Sequence, residues 1–422
     1  MATPSGTLCS AERPLGSFEH FLWLMDQNRP IHFGVVCQVS GCTEVADWRK
    51  ALAAVETRHP FLSVGIDPDP EGKTTRFVRD QNARIPLRVV ESADAANWQR
   101  ELAWEMSRPF EWRRAPLVRS VLLHQTNQTH MILMAHHAVA DGLSLAYATR
   151  DVLLAMAGQP LAPLVAQRPY EELLAVDTPG AATVSASSPK PANVDASRAA
   201  TYRPLTGAPP FIDAHTFDAE NTQAIVKRSR EEQTTVHGAL CAAFLIAGRK
   251  LLADWAAQPV RCVSPINLRK FCSGVADDVG LFIGRGVTVH SPGQDDSFWS
   301  VARSVKEQLR QFESLDFTTR MASKWRKMAS QRPDTNTVAA FYAQAMPHEL
   351  LITNLGRLVV GSNFGSLKLE AFWGPALTMG FEGEQSVGVS TVDGRLACLH
   401  VSYRPIEGLL PMAASLLASE SR

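Results

Sequence analysis

Apolar residues recur along this chain with two periods, and the alternation between them outlines a mixed fold. Over residues 47–58 they fall at Trp48, Ala51, Leu52 and Val55, the one-sided stripe of an amphipathic helix. Pro60 ends that stripe, because the residue before a proline avoids helical geometry. Residues 117–124 and 130–136 read as two strands, and the polar run 125–129 between them as the turn of a hairpin. The second strand, with its MILMA core, is apolar on both faces, which predicts a central place in a sheet.

Helices are predicted over 219–231 and 235–252, the latter through the small and apolar run VHGALCAAFLIAG. Phe298, Val301, Ala302, Val305 and Leu309 share another helical face. Strand patterns occupy 260–265, 286–290, 350–355, 386–392 and 396–401. Helix and strand patterns alternate in both halves, so the expected class is α/β or α+β. Between the halves, 178–210 is rich in Ala, Pro, Ser and Thr and reads as a linker or crossover. The expected organisation is therefore 1–177, the linker 178–210, and 211–422.

Composition narrows the functional classes. Of the 422 residues, 45% are hydrophobic and 20% charged, as in a folded globular chain. Lys and Arg total 42 and Asp and Glu total 42, so no overall positive field exists to gather nucleic acid. The opening residues do not read as a signal peptide, and no apolar run reaches the ~20 residues of a membrane helix. The seven cysteines, Cys9, Cys37, Cys42, Cys241, Cys262, Cys272 and Cys398, form no C-x-x-C pair. Reduced, buried thiols in a cytoplasmic protein are expected.

One string concentrates chemistry: His136-His137-Ala138-Val139-Ala140-Asp141-Gly142, where the apolar strand runs out. A histidine titrates near neutrality and can take a proton and return it. Alternation along a strand sends His136 and His137 to opposite sides, so one of them faces a given cleft. Asp141 needs a cation if buried, and Gly142 allows close approach of backbone or ligand. Arg119 is the one charge on a strand face shared with Leu117, Val121 and Leu123, which predicts an Arg119–Asp141 ion pair. Metal-ligand spacing is missing around the two histidines, so no metal is expected.

The H-H-x-x-x-D-G string resembles the signature of the condensation-domain superfamily of acyltransferases. That group includes peptide-synthetase condensation domains, polyketide-associated mycobacterial acyltransferases, plant BAHD enzymes and chloramphenicol acetyltransferase. Further segments resemble the family in order: Arg13-Pro14-Leu15-Gly16 with Glu19 and Trp23, 58–62 (RHPFL), 116–119 (PLVR), 235–240 (TVHGAL), 264–269 (SPINLR) and 279–282 (VGLF). The BAHD string D-F-G-W-G has only Asn363-Phe364-Gly365-Ser366-Leu367 as a counterpart, which points to a bacterial, phthiocerol-type or free-standing branch.

The resemblance implies two chloramphenicol-acetyltransferase-like subdomains packed as a V around an active-site tunnel. It implies a metal-free monomer without a cofactor, in which His137 is the general base of acyl transfer. The donor would be an acyl-CoA or acyl-carrier-protein thioester, and the acceptor a hydroxyl on a small molecule of secondary or polyketide metabolism. His136, Asp141, Gly142 and Arg119 would support the motif. Thr353 and Asn354 would face the site as oxyanion donors, and Asn267 and Arg269 would brace the channel. Amide formation by a free-standing condensation enzyme is the alternative, as is a non-catalytic relative that binds a carrier protein.

Overall fold

The computed structural model describes residues 11–68, 74–91, 97–176, 200–293 and 297–422. In chain order the strands are β1 (Phe33–Ser40), β2 (Val64–Asp67), β3 (Arg76–Arg79), β4 (Leu87–Glu91), β5 (Val118–His124), β6 (Gln128–Ala135), β7 (Phe211–Thr216), β8 (Val260–Asn267), β9 (Ile283–His290), β10 (Leu350–Arg357), β11 (Asn363–Phe364), β12 (Leu367–Ala376), β13 (Gln385–Val392) and β14 (Arg395–Ser402). The helices include α1 (Ser17–Asn28), α2 (Val45–Arg58), α3 (Asn97–Met106), α4 (Gly142–Met156), α5 (Ala219–Glu231), α6 (Val236–Leu251), α7 (Phe298–Arg310), α8 (Leu315–Ser330) and α9 (Thr335–Ala345).

Two mixed six-stranded sheets organise the chain. The first runs β11-β12-β1-β6-β5-β4 and the second β7-β14-β13-β10-β8-β9. β6, with its two apolar faces, lies inside the first sheet between β1 and β5, as its pattern predicts. In the second sheet β10 runs parallel to both β8 and β13. Several helices start where a side chain takes up an orphan backbone N–H. Asp141 caps α4, Asp218 caps α5, Thr235 caps α6 and Ser314 caps α8.

The two parts of the chain interlock. Residues 363–376, on the C-terminal side of the linker, form β11 and β12 of the first sheet, and β12 pairs antiparallel with β1. In the other direction, α1 sends Phe18 and Phe21 onto Trp325 of α8, with ring centroids 5.1 and 4.7 Å apart. The expected linker lies mostly outside the described residues. Its described part, 200–210, has no helix or strand beyond a single bridge from Tyr202 to Phe381.

The predicted Arg119–Asp141 pair does not form. Arg119 projects to the sheet face covered by α3. Its Nε donates to Glu105 Oε2 at 2.6 Å, and its Nη2 donates to the carbonyls of Glu105 and Arg108. Its guanidinium also sits 4.1 Å from the centroid of Phe110. Val121, Leu123, Ile132 and Met134 occupy this same face with Trp98 and Leu102 of α3. Asp141 lies past the end of β6 and meets a different arginine.

Candidate active site

His137 and Asp141 sit in the loop that carries the chain from β6 into α4. Val139 N donates to His136 O at 3.1 Å, closing a turn. Asp141 Oδ1 then accepts from Ser144 N at 2.9 Å and from Ser144 Oγ at 2.8 Å, so one side chain both ends the loop and starts the helix. Ser144 Oγ lies equally close, 2.8 Å, to Gly280 O, so its one proton is shared between that carbonyl and Asp141 Oδ1, and Asp141 N donates to the same carbonyl at 3.1 Å. The loop is thus fastened to the turn before β9.

The partner of Asp141 is Arg269. The guanidinium donates twice, Nη1 to Oδ2 at 2.7 Å and Nη2 to Oδ1 at 3.0 Å, and Phe282 N donates to Oδ2 at 3.0 Å. Asp141 is fully buried and Arg269 nearly so. Burial pushes the carboxyl up, but the charge and hydrogen bonds of Arg269, with those of Ser144 and Phe282, outweigh it and hold the group below its ordinary value. Asn267 Oδ1 accepts from Arg269 N at 3.0 Å, which shapes the turn that aims the arginine.

The two histidines face different surroundings and carry their protons on different nitrogens. His136 Nδ1 accepts from Ala138 N at 3.1 Å, so the proton of a neutral ring lies on Nε2, 3.3 Å from buried Asp26 Oδ2. His137 does the reverse. Its Nδ1 lies 3.0 Å from Ala140 O, and a carbonyl only accepts, so Nδ1 carries the proton. Nε2 of His137 is therefore the basic nitrogen. Phe33 of β1 lies against the ring at 4.6 Å between centroids.

Burial, with a smaller push from the charge of Arg285, lowers His137 from its ordinary 6.5 to about 4. The ring is therefore neutral, and basic at Nε2, throughout the physiological range. Burial does the same to His32, His130, His237, His290 and His400, each lowered to about 4. Unfolded, all six would take a proton near 6.5; folded, they resist until about 4. Between those values the unfolded chain binds more protons, so acid favours unfolding. The stability these neutral rings hold is full above pH 6.5 and is lost as pH falls toward 4. A thermal-melt series is expected to show the melting temperature falling steeply below about pH 6. A flat profile from pH 6.5 to 5 would contradict this.

A cavity of about 150 Å³ opens beside His137, between the two sheets. His137, Asp141, Gly142, Asn267, Arg269, Thr353 and Asn354 all line it, so the structure brings seven of the nine expected site residues to one place. His136 and Arg119 lie outside that lining. Arg285, Tyr342 and Phe33 also line the cavity and have no counterpart in the sequence motifs. Asn354 Oδ1 accepts from Gly356 N at 2.8 Å, and among the described residues its Nδ2 has no acceptor. Among the described residues no group of three His, Cys, Asp or Glu side chains could hold a metal. No helix among them is long and apolar enough to cross a membrane.

Gly142 is required by close approach. A Cβ there would meet Pro375 Cγ at 2.5 Å and Leu355 Cδ2 at 2.9 Å, and both residues are cavity wall. Overpacking of this kind costs ~1–3 kcal/mol. Gly142→Ala is expected to displace the β12 wall and lower turnover at least ~10-fold, a greater proportional effect than on melting temperature. Parallel rate and melt measurements check it.

Two family descriptions match the sequence. Residues 21–172 match the condensation domain, and residues 209–398 match the phthiocerol/phthiodiolone dimycocerosyl transferase C-terminus. The chain belongs to the condensation-domain superfamily of acyltransferases. A linear gramicidin synthase from Brevibacillus parabrevis is 27% identical over 150 residues, 33% of this chain and 2% of that protein. Phosphinothricin tripeptide synthetase of Streptomyces viridochromogenes is 29% identical over 149 residues, 33% of this chain and 14% of that protein. This condensation-domain chain thus spans a small part of those much longer relatives.

Solved structures share the fold over nearly the full length. Trichothecene 15-O-acetyltransferase from Fusarium sporotrichioides superposes with a TM-score of 0.73 at 12% identity, covering 97% of this chain and 95% of that one. The first condensation domain of the calcium-dependent antibiotic synthetase gives 0.68 at 16%, covering 97% and 96%. Polyketide synthase associated protein 5 from Mycobacterium tuberculosis gives 0.64 at 14%, covering 98% of each. The expected class, an α/β chain of two chloramphenicol-acetyltransferase-like parts, is the one observed.

Proposed function

We propose that this condensation-domain relative moves an acyl group from a CoA or acyl-carrier-protein thioester to a hydroxyl of a small-molecule acceptor. The observation that carries the reading is the tautomer of His137: Ala140 O holds the proton on Nδ1, and Nε2 is left basic at the wall of the cavity. In this mechanism Nε2 takes the hydroxyl proton as the acceptor oxygen attacks the thioester carbonyl. The tetrahedral oxyanion collapses, the carbon–sulfur bond breaks, and the imidazolium returns its proton to the thiolate. Burial disfavours the imidazolium, so the proton passes on and does not remain on the ring. Thr353 and Asn354 Nδ2 are proposed as oxyanion donors.

Asp141 supports this chemistry without relaying protons. Its lone pairs are taken by Arg269, Ser144 and Phe282, none of which touches His137 through it. It holds the loop in place, and the loop holds the histidine.

Mass spectrometry of products from acyl-CoA and acyl-carrier thioesters, each offered a panel of alcohols and amines, tests the reading. Ester products support it. Amide products alone would instead make the chain an amide-forming condensation enzyme, the reading favoured by its match to the condensation domain. Retained thioester with every acceptor would leave a carrier-binding protein. We further propose that the protein acts as a metal-free monomer. Transfer is expected to survive EDTA, and light scattering to give a mass near 46.2 kDa. Zinc-dependent activity or a stable dimer would each overturn its part.

A further inference from the structure

Six buried or half-buried arginines of this chain each hold a carboxylate: Arg13 with Glu19, Arg58 with Asp151, Arg119 with Glu105, Arg150 with Asp277, Arg261 with Glu349 and Arg269 with Asp141. Arg285 does not. It lies half-buried on β9 in the wall of the catalytic cavity, and among the described residues no carboxylate pairs with it. Aromatic rings hold it there. Its guanidinium carbon is 5.2 Å from the centroid of Phe18 and 5.0 Å from that of Tyr342. Ring contacts of this kind position an arginine but do not neutralise it.

Asp141 does not serve Arg285, because both its oxygens are occupied by Arg269. Among the described residues, the catalytic cavity therefore carries an uncompensated cation beside the neutral His137. A guanidinium in this setting is a planar fork of N–H donors matched to a carboxylate.

Arg285 also belongs to a second cavity. Ile283, Gly284 and Arg285 form a wall common to the catalytic cavity and a neighbouring space of about 80 Å³. That space is lined by Phe18, Tyr170, Phe312, Phe317, Met321 and Trp325, and its character is aromatic and apolar. A charged fork thus stands where an apolar slot adjoins the basic nitrogen of His137.

We infer that Arg285 is a specificity-determining residue that binds a carboxylate on a substrate whose apolar or aromatic body occupies the slot behind it. The inference rests on reading the His137 cavity as the substrate site, and it adds a class: one of the two substrates is an organic acid anion as well as an acyl donor or acceptor.

Calorimetric titration of the full chain tests it with 3-phenylpropionate, 4-phenylbutyrate, hexanoate and octanoate, each against the primary alcohol of equal length. At least one acid is expected to bind at least ~10-fold tighter than its alcohol. Arg285→Met is expected to erase that difference, and Arg285→Lys to keep part of it. Arg285→Gln serves as a second neutral variant should the methionine form melt early. His137→Ala is expected to retain the difference, which separates this inference from the transfer mechanism. If His137→Ala proves fully active, the mechanism falls and the anion site stands. Equal affinity for acids and alcohols, no acid binding at millimolar concentration, or discrimination that survives loss of the guanidinium would each overturn the inference.

Discussion

His137→Ala is expected to lower turnover at least ~100-fold while leaving the fold intact, because general-base catalysis of this kind typically supplies 10²–10⁴-fold. Among the described residues the ring makes one hydrogen bond, to Ala140 O, and one aromatic contact, with Phe33. Neither fastens the two sheets together, so truncation removes the base without loosening the frame. It also removes a buried ring that acid would have to charge, so its melting temperature should fall less steeply than the wild type's as pH drops. Initial rates and circular-dichroism melts on the same preparation check both statements. Turnover within a few-fold of wild type would remove the proton-transfer step proposed here.

Asp141→Ala is expected to act the opposite way, through stability first. Arg269 would be left buried without its anion, and breaking a buried pair costs ~3–5 kcal/mol. Ser144 N and Phe282 N would lose their acceptor at the same time, and Ser144 Oγ would keep Gly280 O alone. Arg269→Ala should cost a comparable amount, since it strands the carboxylate instead. The double variant should cost less than the sum of the two, because neither charge then remains alone. Denaturant melts of all three variants measure this. Full additivity would show that the two side chains are not coupled. Arg119→Ala also destabilises, through Glu105, and its effect should add to that of Asp141→Ala because the two sites share no partner.

Much of this fold is legible in local pattern. The hairpin of β5 and β6 and helices α2, α5, α6 and α7 follow directly from apolar periodicity. α8 carried a readable signal as well, with Thr318, Ala322 and Trp325 buried at helical spacing. What pattern does not encode is partner choice between distant segments. Arg119 and Arg269 look alike as lone cations near the motif, and only the packed sheets show that α3 presents Glu105 to the first while Asp141 meets the second. β12 illustrates the same limit, because its apolar run suits either sheet and its place beside β1 depends on the path of the chain. Arg285 is equally hidden in the sequence, since the role proposed for it depends on no carboxylate pairing with it among the described residues. The cap itself was within reach, because an Asp just before an apolar-periodic run is a helix-start signal, while the reciprocal bond of Ser144 shows only in the structure.

The exchange of β12 into the first sheet bears on how relatives of this protein can be recombined. A hybrid cut at the linker would take β1 from one parent and its neighbour β12 from the other. That pairing has two register irregularities, between Gly34 and Val36 and between Gln38 and Val39, which both parents would have to share. Pro375, which presses on Gly142, would also arrive from the second parent. Functional shuffling in this family therefore calls for a discontinuous graft, in which residues 363–376 travel with the N-terminal part although they are encoded far downstream of it.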